Sequence, residues 1–440
     1  MSWGRSSTPS FIDKLTALSM LLFCPIIALI FFVANYGKYH GSLQNLFIDL
    51  KEMNFTEINQ SLPKINFKVL FFCIGWVLFQ FLLAFFPDLI GLVIKCYKGG
   101  IQKGHTTPAG NVLLYNINGL QSWLISHITF IMLCYFELIN PTIIIDNLGS
   151  IFISANIIGY CVTIFAYTKA LNFPSHREDN KLTDCFFYDL VMGIEFNPRV
   201  FNIDLKLFFN GRPGIIAWTL INLSFLLAQY KNFGYVTDSM ILVNILQCIY
   251  VLDFFWNENW YLHTIDIAHD HFGWILSWAD CVWLPFLYTL QAGYLMNNPI
   301  KLGNLLFTLI LIFGLIGYLI FRIANYQKDT FRNSKSNKNY KFIQCKYTTN
   351  DGIIHHSKLL CSGLWGYARH LNYTGDIILS MAYCLSCGLN NVLPYFYCIF
   401  MLILLFTRCI RDEDRCQKKY SNNWNQYCKT VPYRFIPYIL

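Results

Sequence analysis

The sequence predicts an all-α, polytopic membrane protein with about ten transmembrane helices, and three observations carry that prediction. Of its 440 residues, 55% are hydrophobic and only 13% are charged, against about 25% charged in a soluble domain. The apolar residues fall into long runs, close to the ~20 residues that cross a bilayer. The basic residues gather in alternate loops, as the positive-inside rule expects. The net charge of +8 therefore marks membrane edges and gives no signal for nucleic acid.

In chain order the runs lie near 15–36, 67–87, 120–140, 149–171, 214–230, 239–256, 273–296, 303–325, 375–389 and 391–410. Those at 214–230 and 375–389 are short, which suits little tilt or a tight re-entrant pair. No small-residue cleavage site follows the first run, so it reads as a retained anchor. With the N-terminus inside, the cytoplasmic stretches are 88–119, 172–213, 257–272, 326–374 and the tail. They hold Lys95, Lys98, Lys103, Arg177, Arg199, Arg212, Lys328, Arg332, Lys335 and Lys338. The 51–68 loop, with Lys51, Lys64 and Lys68, runs against the bias. The stretch 333–346, "NSKSNKNYKFIQCK", reads as a polar surface loop. No internal repeat or separate soluble domain is visible.

Sixteen cysteines are scattered through apolar runs, where cysteine behaves as a small hydrophobe. Cys384 and Cys387 form a C-x-x-C without a second pair or a nearby histidine, so it reads as structural filler. Glycosylation sequons stand at Asn54, Asn59, Asn222 and Asn372, a short motif with many chance matches.

Four blocks hold the polar chemistry. The stretch "CFFYDLVMGIEFNPRVFNIDLKLFFNGRPGIIAW" mixes aromatics with Asp189, Glu195, Arg199, Asp204, Lys206 and Arg212. The plain expectation is an interfacial segment, its rings at headgroup level and its charges in water. The block "DFFWNENWYLHTIDIAHDHFGWILSWADCVWLPF" holds Asp253, Glu258, His263, Asp266, His269, Asp270, His271 and Asp280. Ionisable groups beside membrane helices are costly and usually functional. The His269/His271 spacing is wrong for two metal ligands on one helix face. Proton handling or polar-ligand contact is the sharper reading, and a hydrogen-bonded network between helices the competing one.

In "NYQKDTFRN", Lys328 and Arg332 stand at i, i+4 and share a helix face, suited to snorkelling or to anion binding. In "LLCSGLWGYARHLNYTGD", Trp365, Arg369, His370, Asn372, Tyr373 and Asp376 stand among glycines that permit close backbone approach. The pattern is no G-x-G-x-x-G after a strand, so no Rossmann domain is expected. Past the last apolar run, "RCIRDEDRCQKKY" puts Arg408, Asp412, Cys416 and Tyr420 on one helical stripe. Arg411, Arg415 and Lys419 form a basic stripe beside it. Such a stripe suits a nucleotide's phosphates and ribose, or a solvated amphipathic tail.

These blocks, with "FYDLVMGIEFNPR", "LPYFYCIFMLILLFTRCIRDEDRCQKKY" and "YCKTVPYRFIPYIL", resemble the sterol reductase family over nearly the whole chain. That family comprises sterol C-14, C-24(28) and Δ7 reductases and the lamin B receptor. The resemblance is greatest to its Δ7 branch. It implies a multi-pass fold of the endoplasmic-reticulum type, with NADPH as cofactor and a sterol substrate drawn from the bilayer lipid. It implies cofactor contacts from Lys328, Arg332, Leu360, Trp365, Asn372, Tyr373, Arg408, Asp412, Cys416, Tyr420 and Tyr427. The expected regions are 1–213, N-terminal helices and cytoplasmic-side loop; 214–302, central helices lining the sterol pocket; and 303–440, helices and tail forming the NADPH pocket.

The implied reaction is reduction of the C7–C8 double bond of a 7-dehydrosterol. Hydride does not add readily to an unpolarised alkene, so an acid and a dry pocket are required. Protonating the 5,7-diene at C8 gives an allylic cation that hydride traps at C7. Glu258, Asp412 and Tyr427 are the candidate acids. In the C-14 branch a tyrosine stands where Asn257 precedes Glu258 here, which supports the Δ7 reading. The alternatives are a C-14 sterol reductase and a non-catalytic sterol-binding membrane protein. A weaker likeness around "RHLNY", to isoprenylcysteine-type methyltransferases, covers only the C-terminal third.

Overall fold

A computed structural model describes residues 5–52, 55–333, 340–348 and 354–439. Asn54 of the sequons and Lys335 and Lys338 of the positive-inside argument lie outside the described residues. The chain forms two compact units, one ending at Ile300 and one beginning at Lys301.

Each apolar run folds as a helix or as a chain of short helices. Among the described residues, six helices are long and apolar enough to cross a membrane. They are Phe11–Tyr36, Leu148–Asn172, Leu205–Phe233, Asp238–Trp256, Gly303–Arg332 and Leu393–Tyr420. This multi-pass character is shown, but the expectation of about ten spans is not reached by length and composition. Two of the other runs, Phe67–Leu83 and Gly119–Tyr135, are shorter helices. Another, Leu371–Leu385, has 15 residues. The 273–296 run breaks into Trp274–Trp278, a π-helical turn at Ala279–Trp283, Leu284–Leu287 and Leu290–Asn297. The physical reason is that apolarity alone does not tell a lipid-facing helix from one buried in protein. The most apolar window of Leu205–Phe233 is 72% buried, whereas that of Gly303–Arg332 is only 11% buried. On the latter helix Leu305, Leu309, Ile312, Ile316 and Leu319 are exposed, spaced to form one apolar stripe.

The chain is mostly helical, as expected, with three small antiparallel pairs of strands beside the helices. In the N-terminal unit Gly100–Thr106 pairs with Val112–Ile117, and Arg199–Val200 with Ile203–Asp204. In the C-terminal unit Phe342–Thr348 pairs with Ile354–Leu360, Phe342 opposite Leu360 and Cys345 opposite Ser357. Part of the expected 333–346 loop is therefore strand. Its partner alternates exposed and half-buried residues before ending on buried Leu360, a period-2 signal too short to stand out between apolar helices. The strands are all antiparallel and occur only in pairs, so no Rossmann sheet is present among the described residues.

The interfacial reading of the 185–218 stretch is also corrected. Asp189, Glu195, Asp204, Lys206 and Arg212 are buried, and each has partners. Asp189 pairs with Arg5. Glu195 pairs with Lys169 at 2.9 Å and accepts from the Ser175 amide at 2.6 Å. Asp204 caps the next helix through the Leu207 amide at 2.9 Å. The Lys206 ammonium donates to the carbonyls of Ile267 at 2.8 Å and Asp270 at 2.6 Å. Buried charges survive only when paired. Most of the partners are distant in sequence, so the sequence displays the charges and hides their burial. In the neighbouring 257–272 block, His271 is buried, with Nε2 3.3 Å from the Asp179 carbonyl. Burial, and then the charges of Lys206, Lys181 and Arg5, hold its pKa well below the usual histidine range.

Candidate active site

In the C-terminal unit, two glycines let two helices touch. A Cβ on Gly375 would lie 2.5 Å from the Phe321 amide nitrogen, and one on Gly317 would lie 2.7 Å from the Gly375 carbonyl oxygen. Small residues at such a crossing allow backbone approach inside a membrane. The crossing aligns Gly303–Asn333 with Leu371–Leu385, so that Asn372 Nδ2 donates to Asn325 Oδ1 at 3.2 Å. One turn further along the first helix, Lys328 lies over the Trp365 ring, 4.1 Å from its centre. Trp365 is fixed in turn: its indole N–H donates to the Ala324 carbonyl at 2.7 Å. The Leu364 amide donates to Gln327 Oε1 at 2.9 Å. Leu360 packs with Ala324, Phe331 and Trp365 in the same buried cluster.

The third wall is the Phe396–Tyr420 helix, which continues from the apolar run through the charged stretch. Asp412 pairs with Arg415 one turn on. Lys328 is within electrostatic reach of Arg332, Asp412, Cys416 and Arg415, which brings the two basic stripes together. Arg408, deeper in the helix, is within reach of Asp376. At the other end the Tyr420 hydroxyl meets Ser357 Oγ at 3.2 Å, and Lys419 lies 4.0 Å from the centre of the Tyr347 ring. Tyr427 is buried with Trp424 and Val431, against Leu359, Cys361, Cys416 and Tyr420. Burial pushes its phenol above the usual tyrosine range.

The sequence reading named Arg369 and His370 but passed over Glu413 and Arg434, which lock this wall in place. Arg369 pairs with Glu413 at 2.8 Å and donates to the Val431 carbonyl at 2.7 Å. Arg434 holds the other Glu413 oxygen at 3.0 Å. These contacts tie the tail to the helix. His370 stacks on Tyr373 with ring centres 5.2 Å apart. Its pKa is pushed down to about 4, chiefly by burial. The one signal in the sequence was the density of polar residues in "GYARHLNY". His370, Cys409 and Glu413 are spaced closely enough to hold a cation, but Glu413 is already committed to two guanidinium groups.

Eight of the eleven residues expected to touch a cofactor, namely Lys328, Arg332, Leu360, Trp365, Asp412, Cys416, Tyr420 and Tyr427, thus fall in one linked neighbourhood. Asn372 and Tyr373 adjoin it on the first turn of Leu371–Leu385, and Arg408 stands apart facing Asp376. The residues fit a nucleotide. Aromatic faces, a cluster of cations with few acids, and two buried polar atoms without partners, Asn372 Oδ1 and His370 Nε2, converge there. Buried polar atoms are normally satisfied, so these two point to a polar ligand.

Glu258 lies in the other unit and is fully buried. Its Oε1 accepts from Arg212 at 2.5 Å and its Oε2 from the Gly119 amide at 2.8 Å. Arg212 also donates to Asn118 Oδ1 at 3.0 Å. A Cβ on Gly119 would lie 2.6 Å from Glu258 Oε2, so only glycine brings that amide to the acid.

Comparison with known proteins shows the family of the chain. The profile of the Ergosterol biosynthesis ERG4/ERG24 family matches residues 11–440. The chain belongs to this family. Within it, the chain is 58% identical over 436 residues to the probable 7-dehydrocholesterol reductase of Acanthamoeba polyphaga mimivirus, covering 99% of this chain and 97% of that protein. It is 49% identical to the 7-dehydrocholesterol reductase of Xenopus laevis, covering 99% and 94%. The family member Delta(14)-sterol reductase LBR of Gallus gallus is 39% identical over 362 residues, 81% of this chain and 55% of that protein. Sterol reductases use a nicotinamide cofactor, which accords with the nucleotide-like chemistry of the C-terminal cluster.

Proposed function

We propose that this chain is an NADPH-dependent sterol reductase that reduces the C7–C8 double bond of 7-dehydrosterols, 7-dehydrocholesterol to cholesterol, in an endoplasmic-reticulum-type membrane. The carrying observation is the gradient of likeness. Identity is 58% and 49% to proteins named 7-dehydrocholesterol reductase and 39% to one named for the Δ14 bond.

We assign the cofactor to 303–440 and the sterol to helices of 214–302. When bound, the cofactor supplies the hydride. Lys328 and Arg332 bind its phosphates, Trp365 and Tyr373 offer ring faces, and Asn372 and Tyr420 orient its polar edges. Cys416 completes the lining, Leu360 keeps water from it, and Arg408, set apart beside Asp376, stands outside it. Of the three candidate acids, Glu258 and Asp412 each serve a guanidinium partner, the geometry of an ionised carboxylate. They orient Arg212 and Arg415. Tyr427 retains its proton and is the one of the three able to donate it.

The test uses membranes from cells expressing the chain, supplied with NADPH and 7-dehydrocholesterol, with sterols resolved by mass. Cholesterol that forms only with NADPH supports the reading. Turnover of a 14-unsaturated sterol in its place would transfer the protein to the Δ14 reaction.

A further inference from the structure

In the sequence His269 stands beside Asp270 and His271, at a spacing wrong for two ligands of one metal. The fold separates that pair and gives His269 other neighbours. His271 turns inward, onto the Phe196 ring and the Asp179 carbonyl. The ring centre of His269 instead lies 6.1 Å from that of His105, and the His263 ring centre lies 6.5 Å from His105. All three belong to the N-terminal unit.

The backbone around His105 is built to place it there. Lys103 pairs with Leu114 and Thr106 with Val112, so Gly104 and His105 together oppose Leu113 alone. A two-for-one bulge of this kind bends the strand and re-aims a side chain. Glycine is required at 104, where a Cβ would lie 2.4 Å from the Tyr115 ring. The hairpin is also seated on the segment that carries the other two histidines. Leu113, Tyr115 and Ile117 share a buried cluster with Leu262, next to His263, and with Ile267, just before His269. The His105 ring is oriented as well. Its Nδ1 lies 2.8 Å from the Thr106 carbonyl oxygen, which only accepts, so Nδ1 carries the hydrogen and Nε2 the lone pair. Metal-bound histidines are held in this way, one ring nitrogen donating to a carbonyl and the other meeting the ion.

Imidazole nitrogen suits zinc and its first-row neighbours. Two imidazoles on one tetrahedral zinc, each bonded at about 2.1 Å, hold their ring centres roughly 5 Å apart. His105 stands about 1 Å outside that spacing from each partner. His105 and His263 are exposed, and exposed side chains change rotamer within nanoseconds, so small turns of the rings close the gap. We propose that His105, His263 and His269 form a site for a divalent transition-metal ion of the zinc class. The ion clips the Gly100–Ile117 hairpin to the 262–269 segment, and water takes its fourth position. An ion bound only when hairpin and segment are folded together stabilises the folded unit. The proposal does not depend on the sterol reductase reading.

The experiment titrates Co2+, a coloured stand-in for zinc, into the purified full chain without a polyhistidine tag. One ion per chain should bind, with the visible bands of nitrogen ligation and no thiolate-to-metal absorption in the near ultraviolet. His105→Ala and His263→Ala should each weaken it about 100-fold or more, since loss of even an outer partner costs about tenfold to a hundredfold. His356→Ala, at an exposed histidine of the other unit, should bind as the wild type does. Zn2+ should raise the thermal unfolding temperature of the wild type and of His356→Ala, and leave that of the two other variants unchanged. Equal Co2+ binding by His105→Ala and the wild type overturns the proposal, and so does thiolate absorption from the bound ion. Binding that is lost in the variants, with no effect of Zn2+ on unfolding of the wild type, overturns the clip. If one of the two variants does not fold, the other decides by the same readings.

Discussion

Two charged clusters, one in each unit, balance their charges differently. In the N-terminal unit, Arg212 and Glu258 close on each other, and Asn118 and the Gly119 amide take up further bonding capacity. In the C-terminal unit, Lys328, Arg332 and Lys419 have no ion pair among the described residues, and the acid within their reach, Asp412, is paired with Arg415. The first arrangement is neutralised internally, with only Arg212 Nε left without a hydrogen-bond partner among the described residues. The second has an excess of cations beside aromatic faces and unpartnered polar atoms, and so has capacity left for an anion. Burial alone does not mark a binding site here; what separates the two clusters is charge balance, one neutralised internally and the other left with an excess of cations.

The strongest way to break this comparison is to unbalance the complete pair. Glu258→Ala leaves Arg212 buried and uncompensated, which costs about 3–5 kcal/mol. The full chain should lose most of its resistance to thermal unfolding in detergent. An apolar replacement of both partners should recover much of that loss.

A nearly equal effect is expected from acid at His370. Its folded pKa of about 4 lies below the unfolded value, so the unfolded chain binds the extra proton. The stability is complete above about pH 6.5, falls as pH drops, and is fully lost near the folded pKa. The span is on the order of 3 kcal/mol. Unfolding measured across that window should slope less in His370→Asn than in the wild type.

Next in size is the loss of a ligand charge. Lys328→Ala should weaken NADPH about tenfold to a hundredfold, the value of a charge-assisted bond, while unfolding changes little. The effect should shrink as salt rises. Lys419→Ala should matter least, about 0.5–1 kcal/mol from the contact with Tyr347, read as a small fall in thermal stability.

Much of the C-terminal arrangement was legible in the sequence. Lys328 with Arg332, and Arg408 through Tyr420, lie on helices, where i, i+4 spacing alone predicts a shared face. The N-terminal pairing was not legible. Arg212 and Glu258 stand 46 residues apart, and Gly119 is further from both. Arg212 was expected in a cytoplasmic loop because a basic residue near apolar runs reads as a membrane edge. Glu258 was expected as an acid because it stands beside membrane helices, and its guanidinium partner was not foreseen. The hairpins were missed for a related reason: a strand of seven residues between long helices leaves only a brief alternation. Local periodicity carries information within an element, and partners brought together by the fold leave no mark on it.

The most direct test of the central contrast is equilibrium NADPH binding to the purified full chain, without sterol, by calorimetry. Wild type, Lys328→Ala/Arg332→Ala and Glu258→Gln would be compared, with folding checked by thermal unfolding. Binding that is lost in the double variant and kept in Glu258→Gln is the predicted result. Equal binding by the double variant and the wild type would contradict the placement of the cofactor in the C-terminal unit.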